Sequence, residues 1–183
     1  MILEIAQFDH PALRTPGPRI EKIDKPLLRL VGDMIDTMLE AEGLGLAAQQ
    51  VGIPLQLFVL DVPQIKKRPS AMRINGKRTD FESRMPLVLL NAEIETFGKT
   101  HLENEGCLSF PEVSAEIARP LSVRVQATML DGSTLVFEAD GLLARAVQHE
   151  IDHTRGILFI DRTIDEHRAE LPEDIRRLVR PVA

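Results

Sequence analysis

The chain has 183 residues, 44% of them apolar and 27% charged, with a formal net charge of −6. These values fit one globular domain spanning residues 1–183 with a single sizeable core, and exclude a disordered chain. The acidic balance argues against wholesale binding of DNA or RNA while leaving room for a local basic patch.

Trp and Tyr are absent, so the core must rest on aliphatic residues, Met and seven Phe. The opening residues Met1-Ile2-Leu3-Glu4-Ile5 lack the basic start and apolar run of a secretory signal. No apolar stretch reaches membrane-spanning length, so no membrane partner is expected. The lone cysteine, Cys107, has no intrachain disulfide partner, which suits a reducing, cytoplasmic setting.

Asp9-His10-Pro11-Ala12-Leu13-Arg14 and Pro16-Gly17-Pro18 read as loop and turn. Asp24 and Pro26 mark a helix start, and Leu27, Leu30, Val31, Met34 and Met38 recur at helical spacing. The pattern predicts a helix to about residue 42. Gly43-Leu44-Gly45-Leu46-Ala47-Ala48-Gln49-Gln50 follows, with two glycines that permit unusual backbone angles and close approach of a ligand. It lacks the third glycine, the Lys-Ser/Thr pair and the preceding strand of a phosphate loop, so it reads as a helix stop and turn. Residues 55–60 read as a short apolar strand.

Residues 63–86 form a basic insertion. Lys66, Lys67, Arg68, Arg73, Lys77, Arg78 and Arg84 oppose only Asp80 and Glu82, which is +5 in a chain of −6. Asn75-Gly76 is a two-residue hairpin signal, so the stretch predicts a protruding basic hairpin or loop. Such a run is most simply a solvated face; the more specific expectation is an arm that approaches ribosomal RNA or acidic nascent chains.

Residues 87–90 predict a strand. Residues 121–130 alternate, with Val123, Val125, Ala127 and Met129 on one face, as in a half-buried antiparallel strand. Asp131-Gly132 turns that strand into another at 134–139. Asp140 is placed to cap a helix on which Leu142, Ala146, His149 and His153 share one stripe, with Gly156 ending it. Residues 157–160 predict a short strand. The charged tail, 163–183, is interrupted by Pro172.

The helix carries Gln148-His149-Glu150-Ile151-Asp152-His153. Histidines four apart on a helix face the same way and can bind one ion, while Glu150 can take a proton from a water there. Cys107, in Glu105-Gly106-Cys107-Leu108-Ser109, would complete a Cys/His/His set with one open position. That is a catalytic rather than a structural metal set.

Together these stretches resemble the peptide deformylase family. Residues 43–50 resemble its glycine-rich motif, 105–109 its cysteine motif and 148–153 its metal-binding helix, in the family's order; residues 9–14 and 155–159 also resemble it. The resemblance implies a single-domain α+β fold with antiparallel sheets packed around a central metal-binding helix. It implies hydrolysis of the formyl group from N-terminal formyl-methionine of nascent polypeptides. It further implies Cys107, His149 and His153 as ligands and Glu150 as general base and acid. Gln50 and the Leu108 amide become donors to the oxyanion, and Gly45 and Gly106 face the substrate backbone. Leu44, Leu142 and Ala146 are candidates to line the methionine pocket, although core packing explains them equally well.

The ion implied is Fe²⁺, with Zn²⁺ expected in ordinary preparations, and a monomer is expected. Two alternatives stand beside this: a metallopeptidase taking its third ligand downstream from Glu166, His167 or Glu170, and a non-catalytic metal-binding relative.

Overall fold

A computed structural model describes residues 1–180 and 182; positions 181 and 183, at the end of the expected tail, lie outside the described residues. Helix α1 spans Lys25–Glu40, and the Asp24 carboxylate accepts the Leu27 N–H at 3.1 Å as its N-cap. It ends two residues earlier than its periodicity predicts. Glu42 turns left-handed at φ +53°, which lets the Gly43 N–H close onto Met38 O at 2.9 Å.

The strands are β1 Gly45–Ala47, β2 Leu57–Leu60, β3 Ser70–Ile74, β4 Lys77–Thr79, β5 Leu87–Cys107, β6 Phe110–Thr128 and β7 Thr134–Asp140. They form one antiparallel sheet in the order β1-β2-β5-β6-β7-β3-β4. Register shifts in the β5–β6 pair at Leu90/Glu93, Phe97/Thr100 and Gly106/Cys107 bend this sheet.

Helix α2, Gly141–Thr154, lies against it, and all of its residues except Gly141 and His149 are buried. Phe58, Leu60, Leu89, Val123, Val125 and Phe137 pack beneath Leu143, Val147 and Ile151 of α2. Leu57, Val59, Val88 and Leu90 point the other way, to Met34 and Met38 of α1. Both faces of β2 and of the start of β5 are therefore covered, which is why their apolar runs are unbroken rather than alternating.

Several local expectations need correction: residues 43–50, read as a helix stop and turn, carry β1 and the 3-10 helix Ala48–Val51, and the strand expected at 121–130 begins at Phe110. The basic hairpin exists, with Asn75 and Gly76 both at positive φ, but β3 pairs with β7 and buries Met72, so the stretch is built into the sheet edge. Asp140 sits at the N-cap of α2 without capping it. Its carboxylate takes Arg73 at 2.6 Å and Ser122 at 2.7 Å, and the Leu143 N–H goes instead to Ser70 Oγ at 3.0 Å.

Residues 157–160 are not a strand. A 3-10 helix runs from Phe159–Arg162, because Asp161 folds its carboxylate back onto the Leu158 N–H at 2.8 Å and pairs with Arg14. Residues 9–14, read as loop, contain the 3-10 helix Pro11–Arg14, whose first turn His10 Nδ1 caps at Ala12 N. The tail forms α3 Asp165–Arg168 and α4 Glu173–Arg176, and Leu171 and Ile175 bury against Phe110, Phe159 and Ile160.

Gly141, at φ +68°, lies where a Cβ would run into Pro69 O, whereas Gly132, at φ +82°, opens onto free space. Gly132→Ala is expected to cost only the left-handed backbone penalty, about 1–2 kcal/mol. Gly141→Ala should cost at least twice as much, because the β3–α2 junction must also separate. Urea denaturation of the two variants side by side checks the difference.

Candidate metal centre

The strand end of β5 and one face of α2 bring three donors together. The ligand atoms of Cys107, His149 and His153 lie within 4.8 Å of one another, with Cys107 Sγ 3.3 Å from His153 Nε2. A tetrahedral shell with metal–sulfur and metal–nitrogen bonds of about 2.3 and 2.1 Å spaces its ligand atoms on the order of 3.6 Å apart. The residues fit one ion. His149 Nδ1 lies 3.1 Å from Glu105 Oε2, which leaves Nε2 facing the cluster. The His149 ring also stacks on Phe159, with centroids 6.1 Å apart. Burial and the neighbouring His149 push the His153 imidazole well below its usual range, towards the neutral form that ligates metals.

Glu150 is buried and its Oε2 has no hydrogen-bond partner among the described residues. Burial pushes its carboxyl up to about 7, against the opposing pull of His149 and Arg119. The backbone beside it has no room for a side chain: a Cβ on Gly45 would stand 2.5 Å from Glu150 Oε1. Gln50 is held by its own loop, its Oε1 accepting the Ala47 N–H at 2.9 Å. Its amide nitrogen therefore points at the cluster, 3.5 Å from Cys107 Sγ and 3.4 Å from Ser109 Oγ.

A cavity of about 780 Å³ opens above these groups. Gly45, Gln50, Gly106, Cys107, Leu108, His149 and Glu150 line it, as do Leu44, Leu142 and Ala146. Leu142 and Ala146 also belong to the core under the sheet, and Leu44 packs against it. A Cβ on Gly106 would meet only Val113 O, at 3.7 Å. His153 closes the donor set from behind and does not line the cavity. The downstream residues proposed for a peptidase lie elsewhere. Glu166, His167 and Glu170 are not in the donor group, and His167 Nδ1 lies 2.8 Å from a carboxylate oxygen of Glu116 on β6.

Behind the donors runs a chain of alternating charges that sequence reasoning missed. Arg119, 2% exposed, holds Glu105 through Nε at 2.7 Å and Asp152 through Nη1 at 2.8 Å. Arg145 joins Glu105 at 2.6 Å, and Arg162 takes both oxygens of Asp152 at 2.6 Å. Burial alone would raise the Glu105 carboxyl, but His149 and Arg119 outweigh it and hold Glu105 well below the usual carboxylate range. The available signal was the two-residue step from Glu105 to Cys107, which puts both on one face of a strand.

A thiolate and two imidazoles within reach of one ion, beside a buried carboxylate, are the donor set of a metal-dependent hydrolase. Residues 2–169 match the family described as Polypeptide deformylase. Peptide deformylase from Methylacidiphilum infernorum is 42% identical over 180 residues, covering 98% of this chain and 94% of that one. The crystal structure of a peptide deformylase from Synechococcus elongatus in complex with actinonin is similar with a TM-score of 0.79 and 34% identity, over 98% of this chain and 91% of that one. A Met-Ala-Ser-bound peptide deformylase from Acinetobacter baumannii gives a TM-score of 0.76 and 30% identity, over 88% and 98% of the two chains. The chain belongs to the polypeptide deformylase family, an enzyme family that depends on a metal ion.

Arg119→Met would leave Glu105 and Asp152 buried without their shared cation. A stability loss of about 3–5 kcal/mol is expected in urea denaturation. Metal affinity should fall by up to about 10-fold, because Glu105, the partner that fixes His149, loses one of the two guanidinium groups that hold it. Competition with a chelator measures the second effect separately from the first.

Proposed function

We propose that this chain hydrolyses the formyl amide of N-terminal formyl-methionine on nascent polypeptides, with Glu150 as general base and acid. The carrying observation is the buried Glu150 carboxylate, raised by burial to about 7 and with its Oε2 lacking a hydrogen-bond partner among the described residues, on the wall of the cavity that Cys107 and His149 also line. Cys107, His149 and His153 would hold one divalent ion. When bound, that ion acidifies a water to the point where hydroxide is available near neutral pH.

Glu150 accepts the proton released as the water oxygen bonds to the formyl carbon. It returns that proton to the nitrogen as the C–N bond breaks, giving formate and a free amine. The charge that builds on the carbonyl oxygen needs donors fixed in advance, and Gln50 Nε2 and the Leu108 amide serve that role. One such donor is worth roughly 3 kcal/mol in comparable sites. Leu44, Leu142 and Ala146 form the apolar wall for the methionine side chain. Gly45 and Gly106 let the substrate backbone approach as an added strand.

Changing Glu150 to Gln keeps the shape and removes the proton acceptor. Formate release from a formyl-Met peptide is expected to fall about 10²–10⁴-fold with metal content unchanged. Turnover near wild type with full metal content would remove Glu150 from this role.

We also assign Fe²⁺ as the working ion and Zn²⁺ as the ion of ordinary aerobic preparations. A thiolate with two imidazoles accepts both, and Zn²⁺ binds such a set more tightly. A thiolate beside iron is exposed to oxidation, which gives the iron form a finite life in air. An anaerobic Fe²⁺ form should release formate faster than the Zn²⁺ form and decay on exposure to air. Matched metal analysis and formate release decide it; equal, air-stable rates would end the iron assignment. The enzyme is proposed to act as a cytoplasmic monomer. The exposed Lys66, Lys67, Lys77 and Arg78 are proposed to favour association with the ribosome. No helix among the described residues is long and apolar enough to cross a membrane.

A further inference from the structure

The basic stretch 63–86 contributes one side chain to the cavity, and that side chain is Arg68. A tight loop presents it, closed by the Arg68 N–H to Ile65 O at 3.0 Å. Glu103 on β5 then fixes the guanidinium, accepting from Nε at 2.9 Å and Nη2 at 2.6 Å on the same carboxylate oxygen. Nη1 has no hydrogen-bond partner among the described residues, and the side chain is 37% exposed. The pair is not electrically balanced. Arg145 reaches the same Glu103 oxygen at 3.7 Å and also pairs with Glu105, which in turn is shared with Arg119 and, through Asp152, with Arg162. Four guanidinium groups thus share three carboxylates in one chain. Arg68 is the end of that chain that the basic stretch brings to the cavity, with Lys66 and Lys67 exposed beside it.

The distance from the chemistry follows from strand geometry. Cys107, Glu105 and Glu103 lie on one face of β5, as their contacts with His153, His149 and Arg68 show. Four residues at about 3.4 Å each put Glu103 roughly 14 Å from Cys107 along the strand. Beyond Leu90, β5 pairs only with β6 among the described strands, so from Glu103 to Cys107 its other edge has no strand partner. An extended peptide with its formyl group at the donor cluster would bring its third or fourth residue level with Arg68. The cavity, about 780 Å³, has room for more than a single side chain.

We propose that Arg68 is a specificity-determining residue that reads the third or fourth residue of the formylated peptide, donating from its free Nη1 edge to an acidic side chain. This rests on the deformylase reading above and adds a preference beyond the first substrate residue. Glu103 and the tight loop pre-orient the donor, so little rotamer freedom is lost on contact.

The test compares kcat/KM for formyl-Met-Ala-Xaa-Ala and formyl-Met-Ala-Ala-Xaa amides, with Xaa either Glu or Lys. Metal-loaded wild type, Arg68→Ala, Arg68→Lys and Arg68→Glu are each assayed at low salt. Wild type should favour Glu over Lys about threefold at one of the two positions, the size expected of a partly exposed ion pair. The ratio should shrink as salt is added. It should fall to about one in Arg68→Ala, keep its direction in Arg68→Lys and invert in Arg68→Glu. A purely structural role for the loop would alter both substrates alike and leave the ratio in place. Release of formate from formyl-methionine amide in the same samples reports the deformylase reading itself. Its absence from every substrate in wild type would sink that reading, whereas an identical Glu-to-Lys ratio in all four proteins overturns the assignment of Arg68.

Discussion

The interaction on which the rest of the structure depends is the buried carboxylate of Glu105. It accepts from Arg119 and Arg145 and faces His149 Nδ1, so it touches β6, α2 and a metal-ligand candidate at once. An ionised carboxylate taken out of water costs several kcal/mol unless hydrogen bonds and countercharges replace the lost hydration. Each partner is therefore obligatory. Arg119 must come from β6, and the strands must run long enough to carry it there. Asp152 must balance the remaining charge of Arg119, and Arg162 must follow Asp152. The aliphatic layers on the two sheet faces supply most of the apolar burial, but this chain of charges sets how α2 sits along the sheet.

Glu105 and Glu150 are both buried and both lie next to His149 in space or in sequence, yet their surroundings drive them apart. Glu105 gains His149 and the Arg119 guanidinium, which outweigh burial and hold it well below the usual carboxylate range. Glu150 has no hydrogen-bonded cation, and burial dominates, taking it to about 7. A carboxylate that never protonates near neutral pH serves as a fixed anchor for an imidazole. One that titrates near neutrality can both take and return a proton. Pairs of carboxyl groups separated in this way are how one site runs acid and base chemistry together.

Much of this was legible in the sequence, and the gaps have physical causes. The start of α1, the alternation at Val123, Val125 and Ala127, and the two-residue Asn75-Gly76 turn each follow from a local rule, and each is present in the fold. The second half of β5 was not legible. Its residues from Ala92 to Asn104 are exposed or half-buried throughout, so no apolar period announces a strand, and β6 alone keeps it extended. Residues 157–160 looked like a strand because Ile, Leu and Phe are good strand formers. The Asp161 side chain decided otherwise through a bond to Leu158 N and an ion pair with Arg14, 147 residues away. Such distant partners leave no local trace. Arg119 is the same case: it falls outside the strand predicted at 121–130, and its partners lie on other elements, Glu105 four positions along β5 from its register partner His101 and Asp152 on α2.

The glycine-rich stretch gains a different meaning from its place beside Glu150. From sequence, Gly45 is a residue that lets substrate backbone approach. In the fold its missing Cβ first makes room for the Glu150 carboxylate, whose Oε1, Cδ and Cγ would all lie within 2.8 Å of any side chain there. The strand that carries Gly45 can therefore pair with β2 and still lie across the head of the acid. A larger residue would have to displace either β1 from the sheet or Glu150 from its position beside the donors. Gly43, one strand step away, has a related constraint: a Cβ there would meet Leu108 Cδ1 at 2.7 Å. That contact within 3 Å is with one terminal methyl of a side chain, whereas at Gly45 three successive atoms of the Glu150 side chain would stand in the way. The two glycines are thus unequal, and the stricter requirement falls on Gly45 because a proton-transfer group, rather than an apolar neighbour, occupies the space.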